Sequence, residues 1–164
     1  MSILFARLIT KIINWAVKKT HLYNVSKFKG IASSASIGTK CILNLPVNNL
    51  FIGEKTYLNG AHLSSGHNSK IIIGDGCAIG YNVSIKAITH SKEKPTNNSL
   101  GGINHVEKDI KIGNNCWIGD NVFIREGVIL GDNIIVGANS VVTKSFDSNL
   151  IIAGIPAKII SIVK

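Results

Sequence analysis

A six-residue period governs most of this chain. From Ile112 onward an aliphatic residue returns every sixth position, at Ile112, Ile118, Ile124, Leu130, Val136 and Val142. Gly follows it at Gly113, Gly119, Gly131 and Gly137. Four places after each aliphatic stands a small or apolar residue: Cys116, Val122, Val128, Ile134 and Ser140. Neither the 3.6-residue period of a helix nor the two-residue alternation of a half-buried strand produces this spacing. A short strand and its turn, repeated, do. The aliphatic points inward, and Gly or Asn supplies the turn conformations that other residues resist. Three such sides close a triangular coil of about 18 residues, and stacked coils pair in parallel at roughly 4.8 Å. No coil can bury its inner face alone, so the stack folds as a unit.

The same phase recurs earlier. Ile73, Ile79 and Ile85 open one coil, and Ile31, Ile37 and Leu43 open another. Ile52 and Leu58 fall three residues out of step, which predicts a turn near Asn48 or Asn49, with a second slip around Ser64 to Ser69. Between His90 and Ile110 the repeat stops in the polar stretch SKEKPTNNSLGGINHVEKD, read as a loop with no strand of its own. A long excursion from a regular stack costs ordering entropy without adding core, so such loops usually serve function. That directs attention to the residue at its root, His90.

Composition supports this reading and sorts the cysteines. Ile and Val are abundant, only 3 Pro occur, and helix formers dominate only near the start, so the body is β. Cys41, Cys77 and Cys116 share the small inward position of IGTKC, IGDGC and IGNNC, with no CxxC spacing. They are expected to pack in the core rather than bind zinc, form disulfides or react, which suits a reducing cytoplasm.

The start of the chain differs from the rest. SILFARLITKIINWAVKK, residues 2–19, places apolar residues at helical spacing with Arg7, Lys11, Lys18 and Lys19 among them. Charges interrupt it too early for a membrane span, and no cleavage signal is clear. A basic amphipathic helix remains. It either lies on an anionic membrane or packs its apolar face on its own body or on a neighbouring subunit. The expected organisation is residues 1–24 as this helix and 25–164 as the repeat body, with loop 91–109 and a C-terminal AGIPAK tail. A net charge of +9 calls for an anionic partner, and nothing resembles a nucleic-acid-binding signature.

The repeats, the loop after ITH, NCWIG, ANSVVTK and the ending AGIPAKII together resemble the hexapeptide-repeat acyltransferases. The likeness is to the branch of galactoside, maltose and streptogramin O-acetyltransferases and bacterial polysaccharide O-acetyltransferases, and it covers roughly residues 31–164. It implies a left-handed parallel β-helix, a homotrimer with active sites between subunits, and acetyl-CoA as co-substrate with no metal. The implied reaction moves the acetyl group to a sugar hydroxyl of a surface polysaccharide or its lipid-linked precursor, in the cytoplasm or at the inner face of the membrane.

By motif, His90 matches the catalytic base, and Asn59 in TYLNG and Trp117 in NCWIG match acceptor-side residues. Asp120, Ala138, Thr143, Lys144, Gly154, Pro156 and Lys158 match the cofactor groove. An imidazole suits the role, because an alcohol is a poor nucleophile until a base near neutrality takes its proton. Glu93 and Glu107 are candidate orienting partners, and Arg125 and Lys164 are further candidates for the cofactor's phosphates. The chain has a short basic helix where enzymes acting on small sugars often carry a helical domain, which favours a polymeric or lipid-linked acceptor. Three other readings stand beside this one: an N-acetyltransferase on a nucleotide amino sugar, a zinc protein of the γ-carbonic anhydrase type using His62, His67, His90 or His105, and a non-catalytic trimeric scaffold.

Overall fold

The computed structural model describes residues 3–92 and 104–163. One helix, α1 (Ile3–Val25), precedes a body made of short parallel strands. The body is the expected triangular coil, and strand register shows its three faces directly. On the first face Ile31, Ile52, Ile73, Ile112, Leu130 and Phe146 stack in line. The second aligns Ile37, Leu58, Ile79, Ile118, Val136 and Ile152. The third aligns Leu43, Leu63, Ile85, Ile124 and Val142. Most of these side chains are 0–2% exposed, and burying each aliphatic contributes about 1.5–3 kcal/mol against chain entropy. The fold is the left-handed parallel β-helix of hexapeptide-repeat proteins.

The conformational demands are divided differently from the sequence expectation. Positive φ falls mainly on the turn asparagines Asn82, Asn115, Asn121, Asn133, Asn139 and Asn149. Asn tolerates this region because its short amide can bond locally. These amides stack between coils: Asn82 donates to Asn121 and Asn121 to Asn139, each at 3.2 Å. The Gly after each inward aliphatic is needed for another reason. A Cβ on Gly113 would lie 2.6 Å from the carbonyl carbon of Gly131 in the next coil and 2.7 Å from its oxygen. Here Gly serves close approach between stacked backbones.

The insertions into the repeat emerge at one corner, between the third and first faces. A turn at residues 47–48 precedes Asn49, a second excursion covers residues 65–70, and the long one starts after Ala87. The excursion at 65–70 falls where the spacing predicts it, and a further register shift, the bulge between Gly60 and His62, lies between the second and third faces. The corner excursions stack on one another. The buried Asn49 amide donates to the carbonyls of Gly66 (2.9 Å) and His67 (3.2 Å).

Two further elements depart from the sequence reading. The excursion after Ala87 does contain strand: Ile88–His90 pairs antiparallel with His105–Glu107. Three-residue strands outside the six-residue phase carry no periodic signal. At the other end, Ala157–Ile162 folds back antiparallel on Leu150–Gly154, with a cis Ile155–Pro156 peptide at the turn.

Cys77 and Cys116 are buried as expected. Their thiols donate to the carbonyls of Gly113 (3.1 Å) and Gly131 (3.2 Å). Cys41 is only half-buried, because it sits in the terminal coil with no coil beyond to cover it.

Candidate active site

His90 ends the first strand of the hairpin and is exposed. Directly across the ladder stands His105, also exposed, with its ring centroid 5.1 Å from that of His90. The hairpin thus presents two imidazoles side by side on a structure outside the coil. Its base is held firmly. Lys108 N–H donates to Ala87 O (3.0 Å), Asn68 N–H donates to the Glu107 carboxylate (2.6 Å), and Lys70 N–H donates to Asp109 (2.8 Å). Glu107 therefore anchors the hairpin to the preceding corner excursion, a different task from the expected contact with His90. Glu93 and Lys164 lie outside the described residues.

The remaining expected residues follow from register. Trp117 directly precedes the inward Ile118 on the second face, pointing outward at 58% exposure. Asn59, half-buried, follows Leu58 on the same face. Asp120, Ala138 and Gly154 each come two residues after an aligned inward aliphatic, so they form one column at the corner of the second and third faces. The Asp120 carboxylate is engaged within that column, accepting from Tyr81 N–H at 2.8 Å. Pro156 and Lys158 belong to the returning hairpin beside it, with Lys158 opposite Ala153. Thr143 and Lys144 lie instead at the corner from which the His90 hairpin emerges, and the Lys144 ammonium sits 5.4 Å from the Phe146 ring centroid.

The three faces of a triangle set a constraint. The corner that carries His90, Thr143 and Lys144 lies opposite the second face, where Trp117 stands. One chain does not bring these groups together.

Several charged groups near that corner are already committed. Arg125 pairs with the Glu126 carboxylate. Burial works against the ionised Glu126, but the Arg125 hydrogen bonds and charge outweigh it and hold the carboxyl below its usual range. His62 lies 3.4 Å from the Lys86 ammonium. Burial, and then that charge, push its imidazole down, so it stays neutral at pH 7. Among the described residues no group of three His, Cys, Asp or Glu side chains is placed to hold a metal ion.

Sequence reading missed His105 as a neighbour of His90. The sequence offers His105 only as a zinc ligand, because a cross-strand pair spanning a long excursion leaves no spacing signature.

Residues 109–144 match the family model described as bacterial transferase hexapeptide (six repeats). The chain carries a hexapeptide-repeat transferase domain. A relative from Dictyostelium discoideum, named as an acetyltransferase, is 42% identical over 113 residues, which are 68% of this chain and 57% of that protein. The matched part of the hexapeptide-repeat chain thus spans a little over half of that curated relative's length.

Among solved structures, a maltose O-acetyltransferase from Clostridium difficile 630 is 27% identical with a TM-score of 0.71, the match covering 85% of this chain and 73% of that one. A galactoside acetyltransferase in complex with coenzyme A is 26% identical with a TM-score of 0.64, covering 90% and 82%. The hexapeptide-repeat domain shares the coil with them, and the hairpin that carries His90 is anchored to that coil.

Proposed function

We propose that this chain transfers the acetyl group of acetyl-CoA to a sugar hydroxyl, with His90 as general base. The observation that carries the reading is an exposed imidazole on an anchored hairpin, at the one long break in an otherwise regular coil. The likeness to maltose and galactoside acetyltransferases, one of them crystallised with coenzyme A, supports the choice of acyl donor.

The chemistry is as follows. The neutral His90 imidazole accepts the proton of the acceptor hydroxyl as that oxygen attacks the thioester carbonyl. The tetrahedral intermediate collapses by breaking the C–S bond, and the imidazolium returns its proton to the departing thiolate. Both substrates are held together, so no acyl-enzyme is needed. Lys144 and Lys158 supply charge for the cofactor's phosphates. Asn59 and Trp117 face the acceptor, Ala138, Gly154 and Pro156 line the groove with Asp120, and Thr143 and Lys144 join it from a neighbouring copy.

Separation of the His90 corner from the Trp117 face favours a homotrimer in which neighbouring copies complete each site. The acceptor is a bacterial surface polysaccharide or its lipid-linked precursor, modified in the cytoplasm.

The test is transfer from labelled acetyl-CoA to a panel of glycans, with release of coenzyme A measured in parallel. His90→Ala should lower turnover by about a hundredfold or more while acetyl-CoA binding survives. Near-normal turnover in that variant removes His90 as base, and absence of acetyl-CoA binding by the unaltered protein removes the whole reading.

A further inference from the structure

We propose that α1 docks the protein onto an anionic lipid surface, lying in the interface with its apolar side inserted. The first argument is charge distribution. Seven of the 18 cationic residues precede Glu54, the first acidic residue: Arg7, Lys11, Lys18, Lys19, Lys27, Lys29 and Lys40. The other 11 share the rest of the chain with all 9 acids, so the net charge of +9 is concentrated at one end. An acid-free basic segment matches the negative potential of anionic headgroups.

The second argument is which side of α1 the body covers. At 100° per residue, Arg7, Thr10, Lys11, Asn14, Lys18 and His21 fall on one narrow polar arc. The opposite, broad arc holds Phe5, Leu8, Ile9, Ile12, Ile13 and Trp15, with Lys19 as the one cation among them. The body takes the later turns of the polar arc. Asn14, Lys18 and His21, with Val17, Leu22 and Val25, line a cleft against Ala35, Ser36, Ile37 and Thr39 of the first coil. His21 Nε2 lies 2.7 Å from Ile37 O. The apolar arc is therefore turned outward, and α1 has no buried residue. Trp15 is 64% exposed and Ile12 55%. A helix of 23 residues is about 35 Å long, too much apolar surface to leave in water without a partner.

The third argument separates lipid from protein as that partner. A seam between copies through the apolar arc would bury Lys19 against its counterpart, with no carboxylate on the helix to pair with either. A bilayer lets lysine and arginine reach the headgroups while aromatic and aliphatic side chains insert below. Among the described residues no helix is long and apolar enough to cross a membrane, so α1 lies on the surface.

The experiment is co-sedimentation of the full chain with vesicles of phosphatidylcholine alone or of phosphatidylcholine mixed with phosphatidylglycerol, at low and high salt. Binding should be confined to the phosphatidylglycerol vesicles, weaken in high salt, and fall about tenfold or more in the double variant Lys11→Glu, Lys18→Glu. Ile12→Asp should weaken binding while leaving these cations in place. In a Trp117→Phe background, Trp15 emission should shift to the blue on binding. No retention on anionic vesicles overturns the proposal. So does equal retention on both vesicle types, and so does a change of solution mass in Ile12→Asp without any vesicle binding. Acetyl transfer to a soluble acceptor reads the catalytic proposal separately, so failure of one does not imply failure of the other.

Discussion

At the scale of single residues, the molecule separates two uses of Gly and Asn that look alike in a repeat. Gly113 is demanded by the backbone of the next coil, which occupies the space a side chain would take. Gly113→Ala must push two ladders apart or distort one of them. The expected cost is about 1–3 kcal/mol, seen as a lower urea midpoint at unchanged slope. An unchanged midpoint would mean that the coils yield at that point. The inward aliphatics and the burial of Cys77 and Cys116 were legible because a six-residue period forces every such position to the same side. Which turn residue carries positive φ was not legible. Both residue types fit a turn, and only the distance between coils tells them apart.

Between residue and fold stands the hairpin, whose strands Ile88–His90 and His105–Glu107 give His90 a fixed address. The sequence marks His90 as the end of its hexapeptide, whereas the coil is already left after Ala87 and His90 closes a hairpin strand. Its neighbour His105 and the anchoring role of Glu107 were not legible, because these contacts join segments distant in sequence without any period. The Glu107 carboxylate accepts from Asn68 N–H, which ties the hairpin to the stack beneath it. Glu107→Ala removes that tie while leaving the coil intact. Turnover should drop about tenfold to a hundredfold, with little change in the dissociation constant for acetyl-CoA or in the urea midpoint, because misplacing a base costs rate rather than cofactor affinity. Glu107→Gln keeps an acceptor oxygen and should restore most of the rate. Equal loss in both variants would assign the carboxylate charge itself to the reaction.

Across the whole molecule, the coil's threefold cross-section limits where a complete site can form. His90 leaves from the corner between the third and first faces, and Trp117 stands on the second face opposite it. Neither can cross a packed core to meet the other. If both serve one reaction, they must come from different copies, and a closed ring of three copies sets the corner of one against a face of the next. This arrangement can be tested by mixing. On that reading, His90→Ala alone leaves every site without its base, and Trp117→Ala alone leaves every site without its aromatic wall. When the two variants are unfolded, mixed equally and refolded together, random assembly pairs an intact His90 with a neighbour's intact Trp117 at about a quarter of the sites. Turnover of the mixture should then rise well above the mean of the separate variants, and refolding either variant alone should give no gain. A mixture no more active than that mean would place His90 and Trp117 in separate tasks, leaving Trp117 as a packing residue between subunits and His90 to act within its own chain.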